Sequence, residues 1–409
     1  MEINNPSNIF DTIVIGSGPA GSSAAYFLAA HKANVLVLEK NYLPRYKTCG
    51  GGIVNRVKSL LPIDFNNISE VNCNYSEIYA HNSKLKFITQ RDNPIIMMTM
   101  REKFDYHILS LALKAGAQLK EGTEVVDIKI NNEFVEVKTK DSAFYGRFVI
   151  LSSGATGINN NKLGTETKNI KLPALEYEVF VDNNDYERFS KSARFDFDIF
   201  PHGYGWVFPK KDHLSIGVIN IKRKQKDLNN IINNYFNLLG IKNVIKSERH
   251  GYYVPLNYKG TQFAKDRIIL TGDAAGLADP VTGEGISHAI ESGKIAAEAL
   301  IESEFNVSTV SYIYNMKIKD TILREIKFAK IIAALVYTYP VVRKLLFKLY
   351  GQKLSELITD IFVGDNTYKK VLTSPVNYLK LIKYLFPLKN SQNGILKNIH
   401  KETEISQPM

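Results

Sequence analysis

The tightest restriction on this chain comes from a glycine-spaced turn, Gly16-Ser17-Gly18-Pro19-Ala20-Gly21. It follows FDTIVIG, a continuous apolar run of the kind that forms a strand buried on both faces. It precedes SSAAYFLAAHK, whose apolar residues have helical spacing. Strand, tight turn and helix in that order offer a phosphate the positive end of a helix. Gly16 permits the turn, Gly18 lets a pyrophosphate approach the backbone beside Pro19 and Ala20, and Gly21 lets the helix pack on the strand. The next apolar strand, ANVLVLEK, ends at Glu39, where a carboxylate accepts hydrogen bonds from a ribose. The glycine pattern alone is weak. With strand, helix and acid around it, a dinucleotide site for FAD or NAD is expected.

A second segment separates these two cofactors. Residues 268–287 read IILTGDAAGLADPVTGEGIS, an apolar strand running into a glycine-rich loop. Asp273, after Gly272, can accept from a polyol hydroxyl, which the ribitol of FAD has and NAD lacks. Gly283, Glu284 and Gly285 lead into a helix whose residues Ile286, Ala289, Ile290, Gly293, Ala297 and Leu300 share one face. A helix N-terminus there would stabilise the negative charge of a reduced flavin. FAD is therefore the expected cofactor.

At 409 residues the chain is long for one compact unit. Three separated pieces share the strand–loop–helix texture of the first motif. Between them ALEYEVFVD, ARFDFDIF and YGWVFP alternate with period two, as in an antiparallel sheet with one covered face, and the KKDH turn predicts a hairpin. The expected fold class is α/β: a Rossmann-like FAD-binding domain, an inserted antiparallel substrate-binding sheet and a C-terminal helical region. The expected boundaries are 1–74, 101–160 and 261–310 for the first, 75–100 and 161–260 for the second, and 311–409 for the third.

These residues resemble the flavoproteins related to para-hydroxybenzoate hydroxylase and, within them, the geranylgeranyl reductase family. The resemblance spans roughly residues 10–300. It is carried by the first fingerprint, the segment Met100-Arg101-Glu102-Lys103-Phe104-Asp105, the ILSSGATG strand end and GDAAGLADPVTGEGI. It implies that Arg101 approaches FAD, that Asp273 binds the ribitol, and that Gly283–Gly285 face the isoalloxazine ring. Val125, Gly272 and Ile286 belong to the same implied cofactor set. Lys47-Thr48-Cys49-Gly50-Gly51-Gly52 looks like the family's CGG loop beside the flavin, with Cys49, Gly50 and Gly51 at the cofactor and Gly52 toward substrate. Pro201–Pro209, PHGYGWVFP, resembles the family's YxWxFP signature, and Tyr204, Trp206 and Phe208 point to one strand face. Three rings on one face can wall a tunnel for an isoprenoid chain, or form an ordinary aromatic core stripe. The WxWxIP motif of related flavin halogenases is absent from the sequence.

The implied activity is saturation of C=C bonds in an isoprenoid or prenyl lipid by hydride transfer from reduced flavin. Cys49 and Tyr204 are the candidate catalytic residues, with His202 a weaker source of a proton. A flavin monooxygenase on an aromatic or polyene substrate, and a non-catalytic membrane flavoprotein, share the same fold expectation. No dedicated NADPH fingerprint is present, so NAD(P)H and reduced ferredoxin both stay open as donor.

The net charge of +11 concentrates late: from Lys317 onward there are 16 Lys/Arg against 7 Asp/Glu. No nucleic-acid module accompanies it. KFAKIIAALVYTY, VVRKLLFKLY and VNYLKLIKYLFPLK read either as basic amphipathic helices at a membrane interface or as a cap on the FAD domain. The uncharged stretch between Lys330 and Arg343 is too short to span a bilayer, which needs about 20 apolar residues. Cys49 and Cys73 make neither a disulfide framework nor a metal spacing. A cytoplasmic protein is expected, with the membrane surface left open as its place of work.

Overall fold

The computed structural model describes residues 8–157, 169–221, 227–257, 260 and 262–374. The VNYLKLIKYLFPLK segment, Pro375 and Pro387 lie outside them. In chain order the α-helices of the described residues are α1 (Pro19–Ala30), α2 (Arg101–Ala115), α3 (Asn183–Phe189), α4 (Leu228–Leu239), α5 (Ile286–Glu302), α6 (Val307–Ile318), α7 (Arg324–Thr338), α8 (Pro340–Val363) and α9 (Tyr368–Thr373).

The strands Ile268–Leu270, Ala143–Leu151, Ile9–Ile15, Val35–Leu38 and Gln118–Lys120 lie side by side in that order, all parallel. Such strands need helical crossovers and are covered on both faces, so they read as unbroken apolar runs. Ile13, Val14, Val35, Val37 and Val149 are fully buried. Val125–Ile130 and Val135–Thr139 extend this sheet as an antiparallel meander from Ala143–Leu151. α1 and α5 cross in close contact because small residues face each other: a Cβ on Gly293 would lie 2.1 Å from the Ala20 carbonyl oxygen. α6 adds Val310, Tyr314 and Ile318 to the same core.

The second sheet orders Val244–Asn257, Asn169–Val181, Leu214–Asn220, Gly203–Pro209, Ser192–Phe197, Tyr75–Ala80 and Leu85–Gln90. Lys210–His213 closes the hairpin between Gly203–Pro209 and Leu214–Asn220. One pair departs from the antiparallel expectation: Ser192–Phe197 runs parallel to Tyr75–Ala80. The two segments are joined through a large part of the nucleotide domain, and that crossover permits parallel pairing. Ile96–Met98 belongs to a third small sheet, with Gly52–Val54 and Val71–Cys73.

The expectation of one covered sheet face needs correction. Every residue of Leu214–Asn220 is buried, and so is all of Gly203–Pro209 except Phe208. α4 packs Ile231, Ile232 and Tyr235 on Val207, Ile216 and Val218. The opposite face carries Leu172, Tyr204, Trp206 and Ile219 against Ala333, Val336 and Tyr337 of α7 and Ile361 of α8. The alternation in YGWVFP is between small and aromatic residues, so both faces are apolar and both are covered.

The C-terminal helices therefore divide between the two domains. α6 joins the nucleotide domain, while α7 and α8 fold back at Pro340 onto the second sheet. Arg343, on α8, is buried there. It donates to Pro201 O at 3.0 Å and pairs with Asp198 at 2.5 Å.

Candidate active site

A cavity of about 860 Å³ runs between the parallel sheet, the second sheet and the loop at 47–52. At one end lies the glycine turn. Gly16, Gly18, Pro19 and Ala20 line it, while Gly21 sits behind, where a Cβ would lie 2.0 Å from Gly16 O. α1 carries no side-chain cap, and the space above Gly18 is open except for the Arg45 guanidinium tip. This is an open cradle at a helix N-terminus. Glu39 ends the second strand, with its Oε2 accepting from Ser17 N and Oγ at 3.0 and 2.8 Å. Burial raises its pKa, but the Ser17 N–H, the Arg45 charge and the Asn41 N–H lower it further than burial raises it. Arg45 bridges Glu39 and Asp105 at 3.6 and 3.4 Å, over the place a diphosphate would occupy. Nothing in the sequence singles it out.

Midway, Arg101 opens α2 and is held by Asp105 at 2.8 and 2.9 Å. It also contacts Cys49, and Asp105 and Cys49 outweigh burial in raising its pKa. Lys47 Nζ stands 3.2 Å from the centre of the Tyr252 ring. Burial lowers its pKa to about 8, helped by Arg101. Asp273, Gly283, Gly285 and Ile286 line the wall here, with Gly272 just behind, while Val125 lines the first end, close to Thr123, whose N–H donates to Glu39 O at 2.8 Å. Asp279 ties the glycine loop by accepting from Val281 N and Thr282 N at 2.7 and 3.0 Å. Glu284 is occupied by Arg56 at 3.0 Å and by Ser287 N at 2.7 Å. α5 starts at Gly285, which has no side chain of its own to cap the helix; Glu284 takes the Ser287 N–H, and the remaining first-turn N–H groups stand at the cavity. Two helix starts at the cavity, that of α1 uncapped, with the Asp273 carboxylate between them fit a dinucleotide that carries a polyol and an electron-accepting ring.

At the far end the CGG loop meets the aromatic strand. Gly50 is wedged so closely that a Cβ would lie 2.9 Å from the Phe208 ring and 3.0 Å from Trp206 Nε1. Lys210, fully buried, anchors the loop by donating to Gly50 O at 2.7 Å and Thr99 O at 2.9 Å. Gly51 N donates to Cys49 Sγ at 3.5 Å, and Gly52 begins a short strand. Tyr204, Trp206 and Phe208 stand in a row, with centroids 6.4 and 6.3 Å apart. Phe195 and Phe362 complete that wall. Trp206 reaches its position because Gly217 beneath it has no side chain; a Cβ there would lie 2.1 Å from the indole.

Known proteins share both the sequence pattern and the fold. Residues 14–44 match a family described as an NAD(P)-binding Rossmann-like domain. The digeranylgeranylglycerophospholipid reductase of Thermoplasma acidophilum is 30% identical over 329 residues, covering 72% of this chain and 78% of that protein. The chain belongs to the geranylgeranyl reductase family of FAD-dependent oxidoreductases. A geranylgeranyl bacteriochlorophyll reductase-like protein of Thermoplasma acidophilum has the same fold, with a TM-score of 0.74 and 23% identity over 93% of this chain and all of that one. A flavin-dependent brominase shares the fold too, with a TM-score of 0.69 and 19% identity over 92% of this chain and 99% of that one.

In this geranylgeranyl reductase family member, the candidate proton sources differ in freedom. The Tyr204 hydroxyl donates to Thr282 O, and burial, with Asp279, pushes its pKa up. His202 Nδ1 is 2.8 Å from Tyr337 O, away from the cavity lining. His288 Nδ1 lies 2.8 Å from Leu277 O and fixes the loop before α5. Cys49 is half-buried at the junction of cofactor and aromatic ends. Glu176, which strand alternation marks only as one more polar position, is buried in the cavity wall.

Proposed function

We propose that this protein saturates C=C bonds of an isoprenoid or prenyl lipid. The observation that carries the reading is the packing of Gly50 against Trp206 and Phe208. It joins the cofactor end and the aromatic wall into one cavity. When bound and reduced, FAD supplies the hydride chemistry. The chain's residues do the rest. Arg45 and the α1 N-terminus would hold the diphosphate, Asp273 the ribitol, and the N–H groups at the start of α5 the charge of the reduced ring. Phe195, Tyr204, Trp206, Phe208 and Phe362 hold an apolar chain and exclude water. Cys49 and Tyr204 stand where they can orient the reacting bond.

The substrate reading also suggests where the protein works. No helix among the described residues is long and apolar enough to cross a membrane. Along α8, Val341, Leu345 and Leu349 form an exposed stripe, with Val341 82% exposed, beside exposed Lys344 and Lys348. Apolar side chains flanked by lysines suit the surface of an anionic membrane. Sedimentation with anionic vesicles should capture the wild type and lose the Val341→Asp/Leu345→Asp variant.

The activity is tested by reducing the FAD-loaded protein with dithionite without oxygen, then adding a geranylgeranylated lipid. Reoxidation of the flavin by the lipid supports the reading. Reoxidation only by oxygen, with an aromatic or polyene compound hydroxylated, would replace it with a monooxygenase. Repeating the reduction with NAD(P)H and with reduced ferredoxin identifies the donor.

A further inference from the structure

Double-bond reduction needs a proton as well as a hydride, and the groups above leave its source open. Glu176 stands on Asn169–Val181 in the cavity wall, 2% exposed. Its Oε1 accepts from the Ser215 hydroxyl at 2.5 Å, and Ser215 Oγ in turn accepts from Trp206 Nε1 at 3.3 Å. Its Oε2 is buried and has no hydrogen-bond partner among the described residues. An ionised carboxylate would leave that oxygen unpaired in a largely apolar wall. A protonated one is neutral and costs less to bury: Oε1 accepts from Ser215, and Oε2 carries a hydrogen that no neighbouring acceptor among the described residues holds.

The surroundings favour the protonated form, and a row of polar groups from solvent reaches the neighbouring Glu178. Burial first, then the neighbouring Glu178 carboxylate, push the Glu176 pKa up to about 7; Ser215, Lys210 and Lys47 pull the other way without reversing the shift. His250 pairs with Glu176 across the sheet, and the Tyr46 ring lies 4.4 Å from that of His250. Glu178, two residues along the same strand face, accepts from the Tyr46 hydroxyl at 3.4 Å and lies 3.0 Å from His213 Nε2. His213 Nδ1 is 2.7 Å from Asp212 Oδ1, and the Asp212 side chain is 69% exposed. A row of titratable groups thus runs from bulk water to the carboxylate beside Glu176.

We infer that Glu176 is the general acid of the reduction: its carboxyl turns from the wall into the cavity, gives the Oε2 proton to the substrate, and recovers one from solvent through Glu178, His213 and Asp212. The inference rests on the reductase reading above. In the balanced step the alkene π bond breaks. One carbon takes a hydride from the reduced cofactor. The other takes the Glu176 proton, as the carboxyl O–H bond breaks. The products are the saturated bond, oxidised cofactor and the Glu176 carboxylate, which a solvent proton neutralises.

Infrared difference spectroscopy of the FAD-loaded protein reads the proton without turnover. The expected result is a protonated-carboxyl band that disappears with a midpoint near pH 7 and is missing in Glu176→Gln. In a single turnover of pre-reduced enzyme, Glu176→Gln should form product roughly 100-fold more slowly. Glu176→Asp should keep the band and part of the rate, which separates loss of the acid from loss of folding. His213→Gln should leave the first turnover unchanged and slow the later ones. A band insensitive to Glu176→Gln, or a first turnover at wild-type rate in that variant, overturns the inference. If the wild type saturates no prenyl lipid, the reductase reading falls and the catalytic role with it. The infrared titration still shows whether Glu176 holds the proton.

Discussion

The two ends of the cavity are built in different ways. The core of the diphosphate end comes from one continuous stretch, Ile9–Ile15, the glycine turn, α1 and Glu39 at the close of the next strand, with the Arg45–Asp105 pair tying it to α2. The aromatic end is assembled from the loop at 47–52, three strands of the second sheet and α8, residues more than 300 positions apart. Local geometry holds the first. Packing between distant segments, with Lys210 as the tie, holds the second. The difference predicts that lesions at the first end abolish cofactor binding, while lesions at the second spare the cofactor and damage substrate handling.

The largest effect is expected at Gly21→Val. Its Cβ would lie 2.0 Å from Gly16 O, so strand and helix must separate. The purified variant should lack the visible flavin spectrum. Full FAD content in this variant would break the comparison at its first end.

The next effect is one of stability and pH. A carboxyl whose pKa is raised on folding stabilises the fold relative to its ionised form below its unfolded value, and that contribution is lost as pH rises through the folded value. For Glu176 the window runs from 4.5 to about 7. Glu176→Gln removes this dependence. Each tenfold rise in proton affinity on folding is worth about 1.4 kcal/mol, so the variant should gain about 3 kcal/mol over the wild type between pH 4 and pH 8. Urea unfolding at the two pH values checks this, and parallel curves would contradict it.

Lys210→Met should be milder, costing about 1–3 kcal/mol as Gly50 O and Thr99 O lose their donor. Because Gly50 then moves against Trp206, prenyl turnover should fall more than FAD affinity. Equal losses in both would erase the distinction between the ends. Trp206→Phe should be the smallest lesion, raising KM for long prenyl chains by roughly tenfold, or about 1.4 kcal/mol, with the FAD content unchanged.

The same contrast explains what could be read in advance. The parallel core, α1, α2 starting at Arg101, and α5 starting at Ile286 follow from motifs whose parts are neighbours in sequence. Tyr204, Trp206 and Phe208 could be placed on one face because strand periodicity is local. The second covered face could not, because α4 and α7 come from elsewhere in the chain. In sequence Lys210 is one more residue of a hairpin turn, Arg45 one of many cations, and Glu176 the polar half of an alternation. Each acquires its role only when a distant segment closes over it.

The central claim is that the two ends form one reductase site. The most direct test is mass spectrometry of a geranylgeranylated lipid incubated anaerobically with the dithionite-reduced, FAD-loaded protein. The account predicts mass gains in steps of two hydrogens, diminished in Trp206→Phe and nearly lost in Glu176→Gln. A lipid unchanged across several head groups, while the protein retains FAD, would contradict it.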